Sequence, residues 1–233
     1  MRVLHIDNHL LFVEKPAGVP VVPDGSGDVS LLDEARSFVE QEFAKPGRAF
    51  LGVVHRLDRP VSGIVLFART SKAAKRLTAA FRERRVRKIY LAVLPTAPPS
   101  DSGVLIQWLR KDRARNRVHA FAEEREGTKR AETHWRVLRV EPGRVLVEFR
   151  PLTGRSHQLR VAARSLGAPL LGDLRYGPGP ALRDRSVALH AHALEVPHPT
   201  RAERVLVRVA PPGIATWRFR GETFEEGVSL QGA

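Results

Sequence analysis

The sequence predicts an α+β fold built on a mixed, largely antiparallel central sheet with flanking helices. Short apolar runs of strand length recur along the whole chain, helical periodicity is confined to a few segments, and the connections are short. Strands and helices do not alternate regularly, which argues against a Rossmann fold or a TIM barrel. The 233 residues contain no repeat, low-complexity tract or flexible linker, so residues 1–233 are expected to form one domain. A slight shift of composition over Pro95 to Ser102 marks at most two lobes of one sheet.

Val3 to Ile6 and Leu10 to Val13 are apolar runs separated by Asp7-Asn8-His9, the pattern of two paired strands with a tight connection. Ser30 precedes Leu31, Ala35, Phe38 and Val39 at helical spacing, with Asp33 in the place of a capping-box partner and Pro46-Gly47 as the stop. Phe50 to Val54 and Ile64 to Ala68 read as strands around a loop from His55 to Gly63. Thr70-Ser71 caps a second helix with Ala73, Leu77, Ala80 and Phe81 inward and a row of Lys and Arg outward. Lys88 to Leu94 is a strand and Pro95 to Pro99 a loop. Ala131 to Val140 and Arg144 to Arg150 flank Glu141-Pro142-Gly143 as a hairpin. Ser156 to Leu166 reads as a helix closed by Gly167, and Ala188 to Val196 and Val205 to Val209 as late strands.

Composition narrows the chemistry. Thirty-nine Lys and Arg against 25 Asp and Glu give a formal charge of +14, the electrostatic footprint of a polyanion binder. Without cysteine, disulfides, zinc–thiolate sites and cysteine nucleophiles are excluded. No apolar run is long enough to span a bilayer and the amino terminus enters strand-like sequence directly, so a cytoplasmic protein is expected. His190, His192 and His198 lack a further ligand to complete a metal shell, and no phosphate loop or nucleophile elbow is present.

Three places could carry chemistry. Asp58, in Val54-His-Arg-Leu-Asp-Arg-Pro-Val-Ser-Gly63, lies in a loop between strands and beside Arg56 and Arg59, whose charge favours its ionised form. A carboxylate so held serves as nucleophile, base or electrostatic stabiliser; the plainer reading is an Asp that caps a turn. Arg155, in Thr153-Gly-Arg-Ser-His-Gln-Leu-Arg160, is expected at a helix amino terminus, where the macrodipole disfavours a cation unless an anion faces it, either a phosphate or the Asp58 carboxylate. Tyr90 follows the basic run Arg84-Arg-Val-Arg-Lys88 and suits stacking on an unpaired base, or simply core filling. The stretch from Arg110 to Arg117, with Arg113, Arg115 and Arg117, suits phosphates or a solvated hairpin tip.

His55 to Gly63, "HRLDRPVSG", closely resembles the signature of the RluA-type RNA pseudouridine synthases. "DNHLLFVEKPAGVPVVP" from Asp7, "KIYLAV" from Lys88, "TGRSHQLRVAARSLGAPLLGD" from Thr153 with Tyr176-Gly177, and "LHAHAL" from Leu189 with His198-Pro199 resemble the same family's blocks in the same order. The resemblance implies the pseudouridine synthase fold and isomerisation of uridine to pseudouridine in RNA, ribosomal or transfer RNA being the expected substrate, without cofactor or energy source; no metal is expected from the histidine pattern, and a monomer is the default expectation. It implies Asp58 as nucleophile, Tyr90 stacked on the target uracil, Arg155 paired with the acid, Arg56 filling the space of the flipped nucleotide, and Leu189 against the uracil. Val61 stands where many members have Thr, a difference expected to affect loop packing only. An S4-type RNA-binding domain is not recognised in the sequence, so recognition is expected to rest on the basic faces.

A non-catalytic RNA-binding protein or RNA chaperone is the alternative, and the joint presence of Asp58, Tyr90 and Arg155 favours the enzyme. A carboxylate-based glycosidase needs a second positioned acid, and none is near Asp58.

Overall fold

The computed structural model describes residues 1–44 and 47–232. In chain order its elements are β1 (Arg2–Ile6), β2 (Leu10–Lys15), α1 (Leu31–Glu42), β3 (Gly52–Val53), β4 (Ser62–Ala68), α2 (Ser71–Arg82), β5 (Arg87–Leu94), β6 (Ser102–Asp112) and β7 (Arg117–Phe121). There follow β8 (Lys129–Glu141), β9 (Arg144–Pro151), α3 (Gln158–Ser165), β10 (Leu189–Pro197), β11 (Glu203–Arg208), a 3-10 turn at Ala215–Trp217, and β12 (Gly227–Gly232). Twelve strands and three helices among the described residues make this the α+β fold that the sequence predicts.

Two compact units divide the chain. The first comprises Met1–Arg87, Ala191–Ala210 and Phe224–Ala233; the second comprises Lys88–His190 and Pro211–Thr223.

In the first unit β1, β2 and β4 pair antiparallel in that order, with Leu10 opposite Ala68 and Lys15 opposite Gly63, and β10, β11 and β12 form an antiparallel ladder. One face of these strands is apolar. Leu10, Phe12, Ile64 and Leu66 pack with Leu194, Val196, Val205 and Val207, and α2 covers them with Ala73, Leu77 and Ala80. The helix forms where expected because the Thr70 side chain accepts from the Ala73 N–H, while Ser30 does the same for α1 from Asp33. Asp33 completes the α1 box through the Ser30 hydroxyl, which donates to its Oδ2 at 2.6 Å. Of the expected α1 stop, Pro46 lies outside the described residues; the helix ends at Glu42.

In the second unit the order is β5, β9, β8, β6, β7, with antiparallel pairing throughout. Leu109, Val118, Ala131, Val161 and Tyr176 form a small core under α3. The sequence reading differs from this unit in two respects. Ser102–Asp112 is a strand of eleven residues, of which the sequence marks only the charged end from Arg110, suited to phosphates or to a solvated hairpin tip. It carries apolar residues on both faces over Val104 to Leu109, which blurs the period of two. The third helix begins at Gln158 rather than Ser156, because His157 at its N-cap adopts a left-handed conformation, φ 52°.

Candidate active site

Asp58 sits on a half-buried connection between β3 and β4, held from three sides. His55 anchors its start: Nε2 accepts the Leu66 N–H at 2.9 Å and the ring stacks on Phe81 at 5.0 Å. Leu57 and Val61 are buried on either side of the acid, and the Val61 N–H donates to the Asp58 carbonyl at 3.0 Å, closing a turn. Gly63 lets β4 approach the chain at Ala191. Its φ is 118°, and a Cβ there would lie 2.4 Å from the Ala191 carbonyl oxygen.

The third support is Lys15, fully buried at the end of β2. Its Nζ donates to the carbonyls of Pro16 at 2.9 Å, Val19 at 2.7 Å and Arg59 at 2.9 Å. Burial pulls its pKa down to about 7, against the attraction of the Asp58 charge. In the sequence Lys15 is only one residue of the block that starts at Asp7. A lysine closing a run of buried apolar residues, just before Pro16-Ala17-Gly18, was the available signal.

Arg59 is engaged elsewhere than the acid. Its Nε donates to the Gly18 carbonyl at 2.8 Å, and its guanidinium pairs with Asp24 at 3.3 Å and with Asp28. The Gly18 N–H donates in return to the Arg59 carbonyl at 2.8 Å. Arg59 thus clasps the Gly18 loop to the Asp58 turn. Arg56, by contrast, is exposed.

In the second unit Tyr90 lies on β5 opposite Phe149, partly buried. Two residues earlier on the same face, Lys88 Nζ donates to the Thr153 carbonyl at 3.0 Å, and burial lowers its pKa to about 8. The loop bearing Arg155 is thereby tied to the strand bearing Tyr90. Gln158 fixes the rest of that loop: its Oε1 accepts from the Thr153 hydroxyl at 2.8 Å and the Arg155 N–H at 3.0 Å. Its Nε2 donates to the Glu132 carbonyl at 3.0 Å and the Thr133 hydroxyl at 2.9 Å. Arg155 precedes the helix cap, is exposed, and donates from Nε to the Arg130 carbonyl at 3.1 Å. It stands two residues before His157, which takes the cap at the amino terminus of α3.

Other residues of the Thr153 block work inside the second unit. Arg160 makes a buried two-point pair with Asp173 at 2.8 and 2.7 Å. His157 Nδ1 lies 2.7 Å from the Tyr176 hydroxyl, which accepts the Val118 N–H at 2.8 Å. Leu189 is buried where β10 begins. Arg113 and Arg115 are exposed at the β6–β7 tip, whereas the Arg117 guanidinium lies over the Tyr176 ring at 5.5 Å. His198 Nε2 is 3.0 Å from Asp7 Oδ2. No helix among the described residues is long and apolar enough to cross a membrane.

Residues 9–165 match the sequence profile of a family described as RNA pseudouridylate synthase. That span contains Asp58, Tyr90 and Arg155; Leu189 lies beyond it. The chain is 40% identical over 196 residues to an uncharacterized RNA pseudouridine synthase of Zymomonas mobilis, covering 84% of this chain and 87% of the other. It is 35% identical to the dual-specificity RNA pseudouridine synthase RluA of Haemophilus influenzae, covering 87% and 90%. Among solved structures, human RNA pseudouridylate synthase domain containing 1 superposes with a TM-score of 0.71 at 26% identity, covering 93% of this chain and 86% of that one.

Proposed function

The chain belongs to the RNA pseudouridylate synthase family and is an RNA pseudouridine synthase, and from that premise we propose that Asp58 is the nucleophile with which it isomerises uridines of ribosomal or transfer RNA. The observation that carries the assignment is the support given to one short turn. Lys15, His55 and Arg59 all hold it, and the acid it presents is flanked by buried Leu57 and Val61. A carboxylate on so constrained a turn arrives at the reacting centre without further ordering, which is where positioning lowers a barrier.

The isomerisation breaks the bond from uracil N1 to ribose C1′ and forms one from C5 to C1′. N1 takes up a proton, C5 gives one up, and atoms and charge balance without an external reactant. Asp58 supplies the electron pair that starts the exchange, and Tyr90 stacks on the uracil. Arg155 orients the acid, Arg56 fills the place of the extruded nucleotide, and Leu189 lies against the base. Extrusion is needed because a stacked base offers no access to C1′ and C5. Arg113, Arg115 and Arg117 contact phosphates. We propose further that the protein acts as a monomer in the cytoplasm.

Tritium release from total transfer RNA and from ribosomal RNA transcripts carrying 5-tritiated uridine tests the assignment. Wild type is expected to release label and Asp58→Ala none, with RNA affinity kept within a few-fold because phosphate contacts supply most binding. Normal release by the variant would remove Asp58 from the mechanism. Tight binding without release by wild type would favour a non-catalytic RNA-binding protein.

A further inference from the structure

Among the described residues, α3 covers one face of the second unit's sheet, and the opposite face has no α-helix of that unit on it. Directly paired residues on neighbouring strands project to the same face, so the register defines it row by row. Glu148, Arg136 and Ser102 form one row, and Arg150, His134 and Val104 the next. Glu132 and Ile106 follow, then Arg130, Trp108 and Phe121, then Arg110 and His119. The alternate residues Gln107, Leu109 and Ala131 turn to α3, where the Gln107 amide donates to the Ser165 hydroxyl at 2.7 Å. Tyr90, opposite Phe149, which is in turn opposite Trp135, shares the α3 face.

Two properties of the uncovered face are unusual together. It exposes branched aliphatic side chains in mid-strand, Val104 at 53% and Ile106 at 47%, beside the half-buried rings of Trp108 and Phe121. It is also strongly basic. Arg110, Arg130, Arg136 and Arg150 line it, and a further arginine, Arg125, joins Arg110 over the Phe121 ring, at 4.6 and 5.2 Å. Against these, within the rows from Ser102 to Arg110, stand two acids, each shared. Glu148 takes Arg150 at 2.8 Å and Arg136 at 3.4 Å, while Glu132 takes Arg130 at 2.7 Å and His134 at 3.1 Å. The glutamates thus hold guanidinium groups in place without cancelling their charge.

We propose that this face is a second RNA-binding surface, taking an unpaired strand whose bases lie on Val104, Ile106 and Trp108 and whose phosphates meet Arg110, Arg130, Arg136 and Arg150. Apolar and aromatic platforms edged with arginine accept bases of any sequence. A second copy of the chain is disfavoured by like charge, on this face and on a chain carrying +14 overall. From Ser102 to Arg110 the strand runs about 27 Å, room for several nucleotides. The choice of RNA as occupant rests on the reading of the chain as an RNA-modifying enzyme. Since Tyr90 belongs to the other face, the RNA held here is a segment away from the target uridine, and long RNAs gain more from it than isolated stem–loops.

Oligouridylate containing 4-thiouridine, crosslinked to the full chain by light and mapped by mass spectrometry, tests the surface directly. Crosslinks are expected within Ser102–Asp112 or Lys129–Glu141; crosslinks confined to other segments would overturn the proposal, and this experiment needs no variant. In V104E/I106E, shown folded by circular dichroism, affinity for ribosomal RNA should fall about tenfold. Tritium release at saturating RNA should stay unchanged. Unchanged affinity, or altered self-association with affinity intact, would also overturn it. Failure of the wild type to release tritium from any RNA would count against the catalytic reading alone, because the crosslink map does not depend on turnover.

Discussion

The Nζ atom of Lys15 lies 2.9 Å from the carbonyl oxygen of Arg59, the residue that follows Asp58 in the chain. A buried ammonium at the end of one strand thus holds the turn that presents the candidate nucleophile, and the charge of that acid acts on the ammonium against the effect of burial. The bond links a core residue to the chemistry.

Lys15→Met should uncouple turnover from binding. Removing the ammonium leaves carbonyls in a dry site without their donor, a loss of about 1–3 kcal/mol per group. Folded Lys15→Met is expected to lose at least tenfold in the rate of tritium release while keeping RNA affinity within a few-fold. Equal kcat in variant and wild type would place Lys15 outside the site.

Stability should depend on pH through the buried lysines. Lys15 and Lys88 have folded-state values of about 7 and about 8, both below the ordinary lysine value of 10.5. Between those limits the unfolded chain binds more protons than the native one, so resistance to denaturant contributed by these groups should rise from pH 7 towards pH 10.5. Below pH 7 both states are protonated and the penalty of burying the charges is present in full. Urea titrations across this range check the sign, and Lys15→Met should flatten the rise.

Gly63→Ala and Gly18→Ala make a matched pair. Both glycines have positive φ, 118° and 88°, but only Gly63 faces a backbone within contact distance. Alanine at position 18 should cost about 1–2 kcal/mol for the left-handed backbone. At position 63 the clash with Ala191 should raise this to about 3 kcal/mol or more. Thermal melting of the two variants should separate them clearly.

Arg113→Gln combined with Arg115→Gln should weaken RNA binding and reduce the slope of log affinity against log salt by about 1–2. An unchanged slope would make the tip a solvated hairpin end. Arg117→Gln should also lower thermal stability, since that guanidinium covers the Tyr176 ring.

Local signals in the sequence were legible wherever a residue acts on its own neighbours. Ser30 and Thr70 cap the helices expected of them, Asp7 to His9 joins two strands, and Glu141 to Gly143 turns a hairpin. Side chains that act across the chain were not legible. Lys15 reads as the polar end of an apolar run until β2 is set opposite Gly63, and Gln158 reads as an ordinary helix residue until Thr153 and Glu132 come to meet it. Arg59 misled for the opposite reason. Its closeness to Asp58 along the chain suggests a cation given over to the acid, whereas Gly18, Asp24 and Asp28 occupy its guanidinium in space. The β12 strand, with Val228 and Leu230 exposed, lacks the buried alternation that identifies a strand from sequence, and it is fixed by pairing with β11.

The first unit is drawn from three separate stretches of chain, and its core joins Phe12 and Leu66 to Leu194 and Val207. During synthesis the Asp58 turn is therefore made long before the strands that complete its support. At ~5–20 residues per second, the half-built core waits on the order of ten seconds for β10 and β11 to emerge. Nascent chains interrupted in that interval would carry the whole "HRLD" signature and still lack a settled nucleophile. Competence for chemistry is thus a property of chains from which β10 and β11 have emerged, a form of timing written into the order of the strands.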